Sequence, residues 1–196
     1  MRKLKLEMQV SLDGFAADAD GGTDWMVWNW SDDWAWDKEL QQYHLDLTTS
    51  SDCILLSRKM AEEGFHQHWE RVAANRQNPQ CTFAKAIIEM RKVVFSKTLE
   101  RSLWKNTELA QGELTDAVSR LKKEKGKDVI VYGGPIFASS LISADLIDEF
   151  HLIVNPAVVG NGSSMFGALE KNINLKLVNA RPFQCGVAVL EYERSK

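Results

Sequence analysis

The stretch Asp128-Val129-Ile130-Val131-Tyr132-Gly133-Gly134-Pro135-Ile136-Phe137-Ala138-Ser139-Ser140-Leu141 reads in three parts. Residues 128–132 are nearly all apolar, the composition of a central strand covered on both faces of a sheet. Two glycines then let the backbone turn tightly and approach a ligand closely. Pro135 suits the first position of a helix, whose unpaired N–H groups and dipole point into that turn and favour phosphate. Strand, glycine turn and helix in this order indicate an α/β architecture. The same turn also works as a plain connection, so the segment alone leaves ligand and packing roles open. The patterns G-x-G-x-x-G and G-x-x-x-x-G-K-[ST] are both absent.

Outward from this segment, further strands are predicted at 3–10, 52–56, 91–95, 148–154, 174–180 and 185–193. Helices are predicted over 33–47, 81–90 and 113–125. In the last of these Leu114, Ala117, Val118 and Leu121 follow helical spacing, lysines crowd the final turn and Gly126 ends it. The C-terminal third carries strands on short polar connections, which implies an antiparallel edge on a mainly parallel sheet. With 196 residues and no linker composition, the chain reads as one domain, 1–196.

Composition narrows the function classes. Apolar residues are 44% and charged residues 26%, the values of a globular protein. A net charge of −3 without a basic face argues against nucleic acid as a partner. The three cysteines, Cys53, Cys81 and Cys185, lack the spacing of a disulfide framework or a zinc site, which suggests a reducing compartment. The basic start Met1–Lys5 leads into no apolar signal segment, and no run approaches the ~18 apolar residues of a membrane span. A cytoplasmic protein is expected.

Two other strand ends carry cations and hydroxyls: Ser57-Arg58-Lys59-Met60 after 52–56, and Ser96-Lys97-Thr98 after 91–95. Ligands of open α/β sheets sit beyond the carboxyl ends of strands. Three such ends could hold a dinucleotide, the glycine turn taking the pyrophosphate and the basic ends a 2′-phosphate; singly, each cation also reads as an ordinary solvated residue. Five of seven tryptophans (Trp25, Trp28, Trp30, Trp34 and Trp36) fall within 25–36. Large aromatics in a loop bury against something, so the cluster either lines a flat-ligand pocket or packs at a subunit interface. His66 and His68 have no metal partner at a recognised spacing and are expected in a polar loop. His44 and His151 read as packing or surface residues. No serine stands in a G-x-S-x-G elbow.

Several segments together resemble the dihydrofolate-reductase-like family that includes the reductase (RibD C-terminal) domain of bacterial riboflavin biosynthesis. They are Ser11-Leu12-Asp13-Gly14, Ile54-Leu55-Leu56-Ser57-Arg58-Lys59, Lys92-Val93-Val94-Phe95-Ser96, Val131-Tyr132-Gly133-Gly134-Pro135, and Leu146–Phe150 leading to Asn155-Pro156-Ala157-Val158-Val159-Gly160-Asn161-Gly162. The resemblance implies a three-layer fold with a mixed, mainly parallel sheet and helices on both faces. It also implies an NADPH-dependent reductase of a pyrimidine- or pterin-type substrate. By position, Ser57, Arg58, Lys59 and Met60 would meet the cofactor's phosphates. Ser96 and Lys97 would bracket the 2′-phosphate, and Gly133, Gly134, Pro135, Ile136 and Phe137 would meet the pyrophosphate. Asp13, Trp25, Trp28 and Tyr132 would lie on the substrate side, since Thr23-Asp24-Trp25 resembles a segment beside the nicotinamide. The sequence departs from the riboflavin reductases in Ser57, where they have glycine, and in Tyr132, where they have an acid.

Reduction of an imine or ring-opened sugar also needs a proton. Asp33 in Asp33-Trp34-Ala35-Trp36 resembles the acid of dihydrofolate reductases; it also reads as a helix cap, with water supplying the proton instead. The leading expectation is a reductase acting on 5-amino-6-(5-phosphoribosylamino)uracil or a relative. The alternatives are a dihydrofolate reductase and a non-catalytic nucleotide- or flavin-binding protein. A homodimer is expected, because the apolar C-terminal strand invites pairing at the sheet edge.

Overall fold

A computed structural model describes residues 1–96, 98–102 and 104–195. The first half runs β1 (Leu4–Val10), β2 (Ala17–Asp18), α1 (Lys38–Thr49), β3 (Ser51–Ser57), α2 (Arg58–Glu62), α3 (Phe65–Ala74), α4 (Cys81–Glu89) and β4 (Arg91–Phe95). The second half runs β5 (Thr107–Leu109), α5 (Leu114–Lys123), β6 (Asp128–Tyr132), α6 (Pro135–Ser143), β7 (Glu149–Val154), β8 (Gly162–Ser163), β9 (Leu175–Pro182) and β10 (Ala188–Arg194).

Eight strands form one sheet in the order β5-β4-β3-β6-β1-β7-β10-β9. All neighbours from β5 to β7 are parallel; β10 runs antiparallel to both β7 and β9. Helices cover both faces, as expected of three layers. On one face Ile54, Leu56, Val94 and Ile130 meet α1, α3 and α4 through Leu40, Leu47, Phe65, Trp69, Phe83 and Ile87. On the other, Leu4, Leu6, Leu55, Val129 and Val131 meet α5 and α6 through Val118, Leu121, Ala138 and Leu141. β6 is buried on both sides because every one of its residues from Val129 onward has a covering layer.

Two expectations are corrected. The helix expected from residue 33 starts at Lys38, because Asp37 caps it by accepting from the N–H groups of Glu39 and Leu40. The polar loop expected around His66 and His68 is helix α3, whose Phe65, Trp69, Val72 and Ala73 form a buried stripe. Of the packing and surface readings for His44 and His151, packing holds: both are buried, His151 Nδ1 bonded to the Tyr43 hydroxyl at 2.6 Å and His44 Nδ1 to the Glu7 carboxylate at 2.5 Å.

Candidate functional site

Parallel pairing brings the carboxyl ends of β4, β3, β6, β1 and β7 to one edge. Register sets Ser57 beside Phe95 and Leu56 beside Tyr132, so Ser96, Ser57 and Gly133 leave the sheet side by side. From β4 to β1 this edge spans about 14 Å at the usual strand spacing. Between β3 and β6 the chain's connections part: β3 continues to β4 through helices on one face, and β6 continues to β7 through α6 on the other. Such a switch point opens the crevice where α/β sheets bind ligands.

At this crevice α6 begins with Gly134 as its cap residue and Pro135 in its first turn, and no side chain among the described residues caps it. Among the described residues a Cβ on Gly134 would meet nothing within 4 Å, so open space faces the helix start. A Cβ on Gly133 would stand 2.7 Å from Phe137 Cδ1. Phe137 in turn packs on Phe95 from the end of β4, with ring centroids 5.5 Å apart. Ile136 projects into solvent at 82% exposure. Gly133, Gly134, Pro135, Ile136 and Phe137 thus form one seat: a turn, a bare helix start and an aromatic buttress.

Ser57 caps α2, its hydroxyl accepting from Met60 N–H at 3.1 Å. Arg58 and Lys59 are exposed and pair along the helix with Glu62 (2.8 Å) and Glu63 (3.7 Å). Ser96 Oγ accepts from the N–H groups of Thr98 and Leu99. Lys97 lies outside the described residues. The two basic ends therefore border the glycine seat, with each cation of α2 already holding an acid.

Asp13 follows β1 and bridges two loops. Its carboxylate accepts from Ser11 Oγ (2.7 Å), Val159 N–H (3.0 Å) and Gly160 N–H (2.7 Å). The Ser11 hydroxyl and these backbone donors lower its pKa to about 2. β2 and β8 continue the same junction, and a Cβ on Gly162 would strike the Ala17 carbonyl at 2.0 Å, so glycine is required there.

The tryptophans divide. Trp28, Trp34 and Trp36 are core residues packed around the His44 ring, at centroid distances of 6.0, 6.4 and 5.3 Å. Trp30 packs on Trp69 and Phe65. Trp28 is 2% exposed and gives its indole N–H to the Ser31 carbonyl, which corrects its placement among substrate-contacting residues. Trp25 alone of the expected pair is half-buried at the loop surface, its indole donating to the Gly22 carbonyl. Asp33 is exposed, precedes α1 and accepts from Ser31 Oγ at 2.5 Å. It does not cap the helix, a role that Asp37 fills. Tyr132 is buried, and its hydroxyl points away from the edge to Thr48 Oγ1 (2.6 Å) and Glu7 (3.0 Å). Burial and the Glu7 carboxylate raise its pKa well above the ordinary phenol value.

Sequence reasoning missed Glu7, Gln9 and Asn155. Lys5, Glu7 and Gln9 alternate with apolar residues along β1, a pattern that reads as a solvent-facing side. In the folded chain that side lies under α1 and the tryptophan loop, and the polar groups pair there: Lys5 with Ser50 and Asp128, Glu7 with His44 and Tyr132, Gln9 with Trp28 and Asn155. Polar residues in a strand between two apolar strands were the available signal.

The sheet order, the bare helix start at the switch point and the antiparallel edge define a dihydrofolate-reductase-like α/β protein. The model of the RibD C-terminal domain family matches residues 2–189, and the chain belongs to that family. It is 30% identical to YyaP of Bacillus subtilis (strain 168) over 193 residues, covering 97% of this chain and 94% of that protein. It is 28% identical to YwjB of the same organism, covering 99% of each. Among solved structures, a candidate riboflavin biosynthesis protein from Shewanella sp. PV-4 superposes with a TM-score of 0.71 at 19% identity, covering 99% of both chains. A deaminase and 5-amino-6-(5-phosphoribosylamino)uracil reductase from Thermotoga maritima gives 0.67 at 17% identity, covering 99% of this chain and 57% of that one. A pyrimidine reductase-like protein from Corynebacterium diphtheriae gives 0.64 at 13% identity, covering all of this chain and 92% of that one.

Proposed function

We propose that this chain is an NADPH-dependent reductase that passes a hydride to a pyrimidine-type heterocycle such as 5-amino-6-(5-phosphoribosylamino)uracil. The observation that carries the reading is the empty volume in front of Gly134, at an uncapped helix start on the switch-point edge. Its donors and its lack of a side chain suit a pyrophosphate. Bound there, the nicotinamide would supply the hydride. Ser57 and Ser96 border the seat on the adenosine side, and Arg58 and Lys59 would turn to a 2′-phosphate. Their present partnerships with Glu62 and Glu63 are exposed helix pairs worth only about 0.3–0.5 kcal/mol. Charge-assisted bonds to a phosphate dianion are stronger. Water supplies the proton in this reading, because the Asp33 carboxylate is exposed to solvent and engaged with Ser31 Oγ. Asp13 acts as the loop junction, and Trp25 lies on the acceptor side.

Two further properties belong to this reading. The thiols of Cys53, Cys81 and Cys185 are unpaired, which supports a reducing, cytoplasmic setting. Among the described residues no helix is long and apolar enough to cross a membrane. Leu177 and Val178 are half-exposed on the edge strand β9, which supports pairing with a second copy.

The test is a titration of purified protein with NADPH, NADH, folate and flavin, read by tryptophan fluorescence, followed by NADPH oxidation in the presence of the phosphoribosylaminouracil. NADPH binding tighter than NADH, with oxidation dependent on the pyrimidine, is the expected result. Arg58→Ala should narrow the preference. Equal affinities for the two nucleotides would remove the 2′-phosphate assignment, and failure to bind either would remove the reductase.

A further inference from the structure

We infer that Gln9 and Asn155 are positioning residues that hold the backbone of Val27 and Trp28 as the acceptor-side wall of the site. This rests on the reductase reading above. Both residues come from strand ends at the ligand edge: Asn155 directly follows β7 and is fully buried, while Gln9 is half-buried near the end of β1. Register places Gln9 beside Ile153 on the neighbouring strand.

Their hydrogen bonds form one directed chain. The Val27 N–H donates to Asn155 Oδ1 at 2.9 Å, which fixes which end of that amide is oxygen. Asn155 Nδ2 then donates to Gln9 Oε1 (3.2 Å) and to the Ile153 carbonyl (3.3 Å). Gln9 is left with Nε2 toward the Trp28 carbonyl, to which it donates at 3.0 Å. Turning either amide over would set donor against donor or acceptor against acceptor, so the pair reads the loop in one orientation only. The loop they grip has no regular structure to hold itself. Its Trp28 ring is sunk in the core, while Trp25, Met26 and Val27 remain half-buried at the edge. An inward anchor at residue 28 and two amide contacts at 27 and 28 therefore set where these three side chains stand above β1 and β7. The pair has no hydrogen bond to Gly134, Ser57 or Ser96 among the described residues, which separates its role from the proposed cofactor seat.

Elsewhere the same loop is held by amides that do not come from strand ends. Gln80 at the start of α4 donates to the Ser31 carbonyl, and Gln41 in α1 donates to the carbonyls of Trp34 and Trp36. Gln80 therefore supplies a comparison for simple loosening of the loop. Gln9→Met keeps the chain length and removes both polar ends. Asn155→Asp keeps the acceptor for Val27 but sets a carboxylate oxygen against Gln9 Oε1 and the Ile153 carbonyl. Circular dichroism and thermal melting establish that each variant folds.

Affinity for 5-amino-6-(5-phosphoribosylamino)uracil, titrated with NADP+ at saturation, should fall roughly tenfold in Gln9→Met, which loses the bonds to the Trp28 carbonyl and from Asn155 Nδ2. Affinity for NADPH should be unchanged, and Gln80→Met should lower the melting temperature while changing neither. Equal weakening of both ligands, no change in pyrimidine affinity, or the same loss in Gln80→Met would overturn the inference. If the unaltered protein binds NADPH but not the pyrimidine, the substrate reading is what has failed. Hydrogen exchange then decides the positioning role: the Val27 amide must exchange roughly tenfold faster in Gln9→Met while Ile130 is unaffected. Unchanged exchange at Val27 overturns it.

Discussion

Gly133 and Gly134 are neighbours with different reasons for being glycine. Gly133 leaves room for the Phe137 ring, so Gly133→Ala should lower the melting temperature by displacing a buttress that leans on Phe95. Gly134 has φ −71°, ordinary for any residue, and open space before it. Backbone strain is therefore not what requires it. Gly134→Val should fold, keep its helical circular dichroism and lose NADPH binding; normal binding by this variant would reduce the turn to packing. A third residue-level expectation concerns His44. Removing it as His44→Leu leaves the buried Glu7 carboxylate with the Tyr132 hydroxyl alone, at a cost of about 3 kcal/mol in a denaturant melt. A loss below the error of the measurement would mean that the Glu7–His44 contact does not hold the fold together.

At the scale of elements, α1 shows how apolar spacing misleads about a boundary. Trp36, Leu40 and Leu47 share one helical face, so the apolar pattern alone runs the helix back past its cap, although Trp34 would fall on the opposite side. Trp34 instead takes a φ of 35°, outside the helix, and reaches the same core from a loop. Asp37 is the true start. Asp37→Ala should cost about 1 kcal/mol of stability, read by thermal melting, whereas Asp33→Ala should cost none and leave NADPH oxidation intact. Helix α3 illustrates the opposite error. Its stripe of Phe65, Trp69, Val72 and Ala73 was readable at positions i, i+4, i+7 and i+8, but His66 and His68 drew attention to a two-residue spacing that the helix does not use.

Over the whole molecule, acid should unfold the protein through two groups, the half-buried Glu149 and the buried His66. Hydrogen bonding to His151 and Lys3, with the charge of Lys5, lowers Glu149 to about 2 from 4.5. Its contribution is complete above the ordinary carboxylate range and is lost as pH falls toward 2. Burial and the charge of Lys92 lower His66 to about 4 from 6.5, so the unfolded chain takes up that proton first and stability declines as pH falls from 6.5 to 4. Denaturant midpoints measured across pH should therefore drop continuously below neutrality, and His66→Leu should flatten the upper part of that drop. Self-association is the other whole-molecule property. Light scattering at micromolar concentration should give about twice the 22.2 kDa of one chain, and Leu177→Asp should return the mass to one chain if β9 forms the seam.

Much of this protein was legible in local chemistry. The apolar run 128–132, the glycine pair and Pro135 specify a buried strand, a turn and a helix start, because each depends on neighbours within a few residues. Alternating strand and helix patterns likewise indicate a mainly parallel sheet with an antiparallel end, whereas the order of its strands rests on pairings such as Leu4 with Val129, far apart in the chain. What the polar residues of β1 do could not be read locally, because partners for Lys5, Glu7 and Gln9 arrive from Asp128, His44 and Asn155, far along the chain. The tryptophan cluster divided for the same reason. Whether an indole in a loop faces ligand, partner or core depends on which layer closes over it, and here α1, α3 and α4 close over Trp28, Trp34 and Trp36 and leave Trp25 at the edge. Burial belongs to packed layers, and only their assembly in three dimensions assigns it.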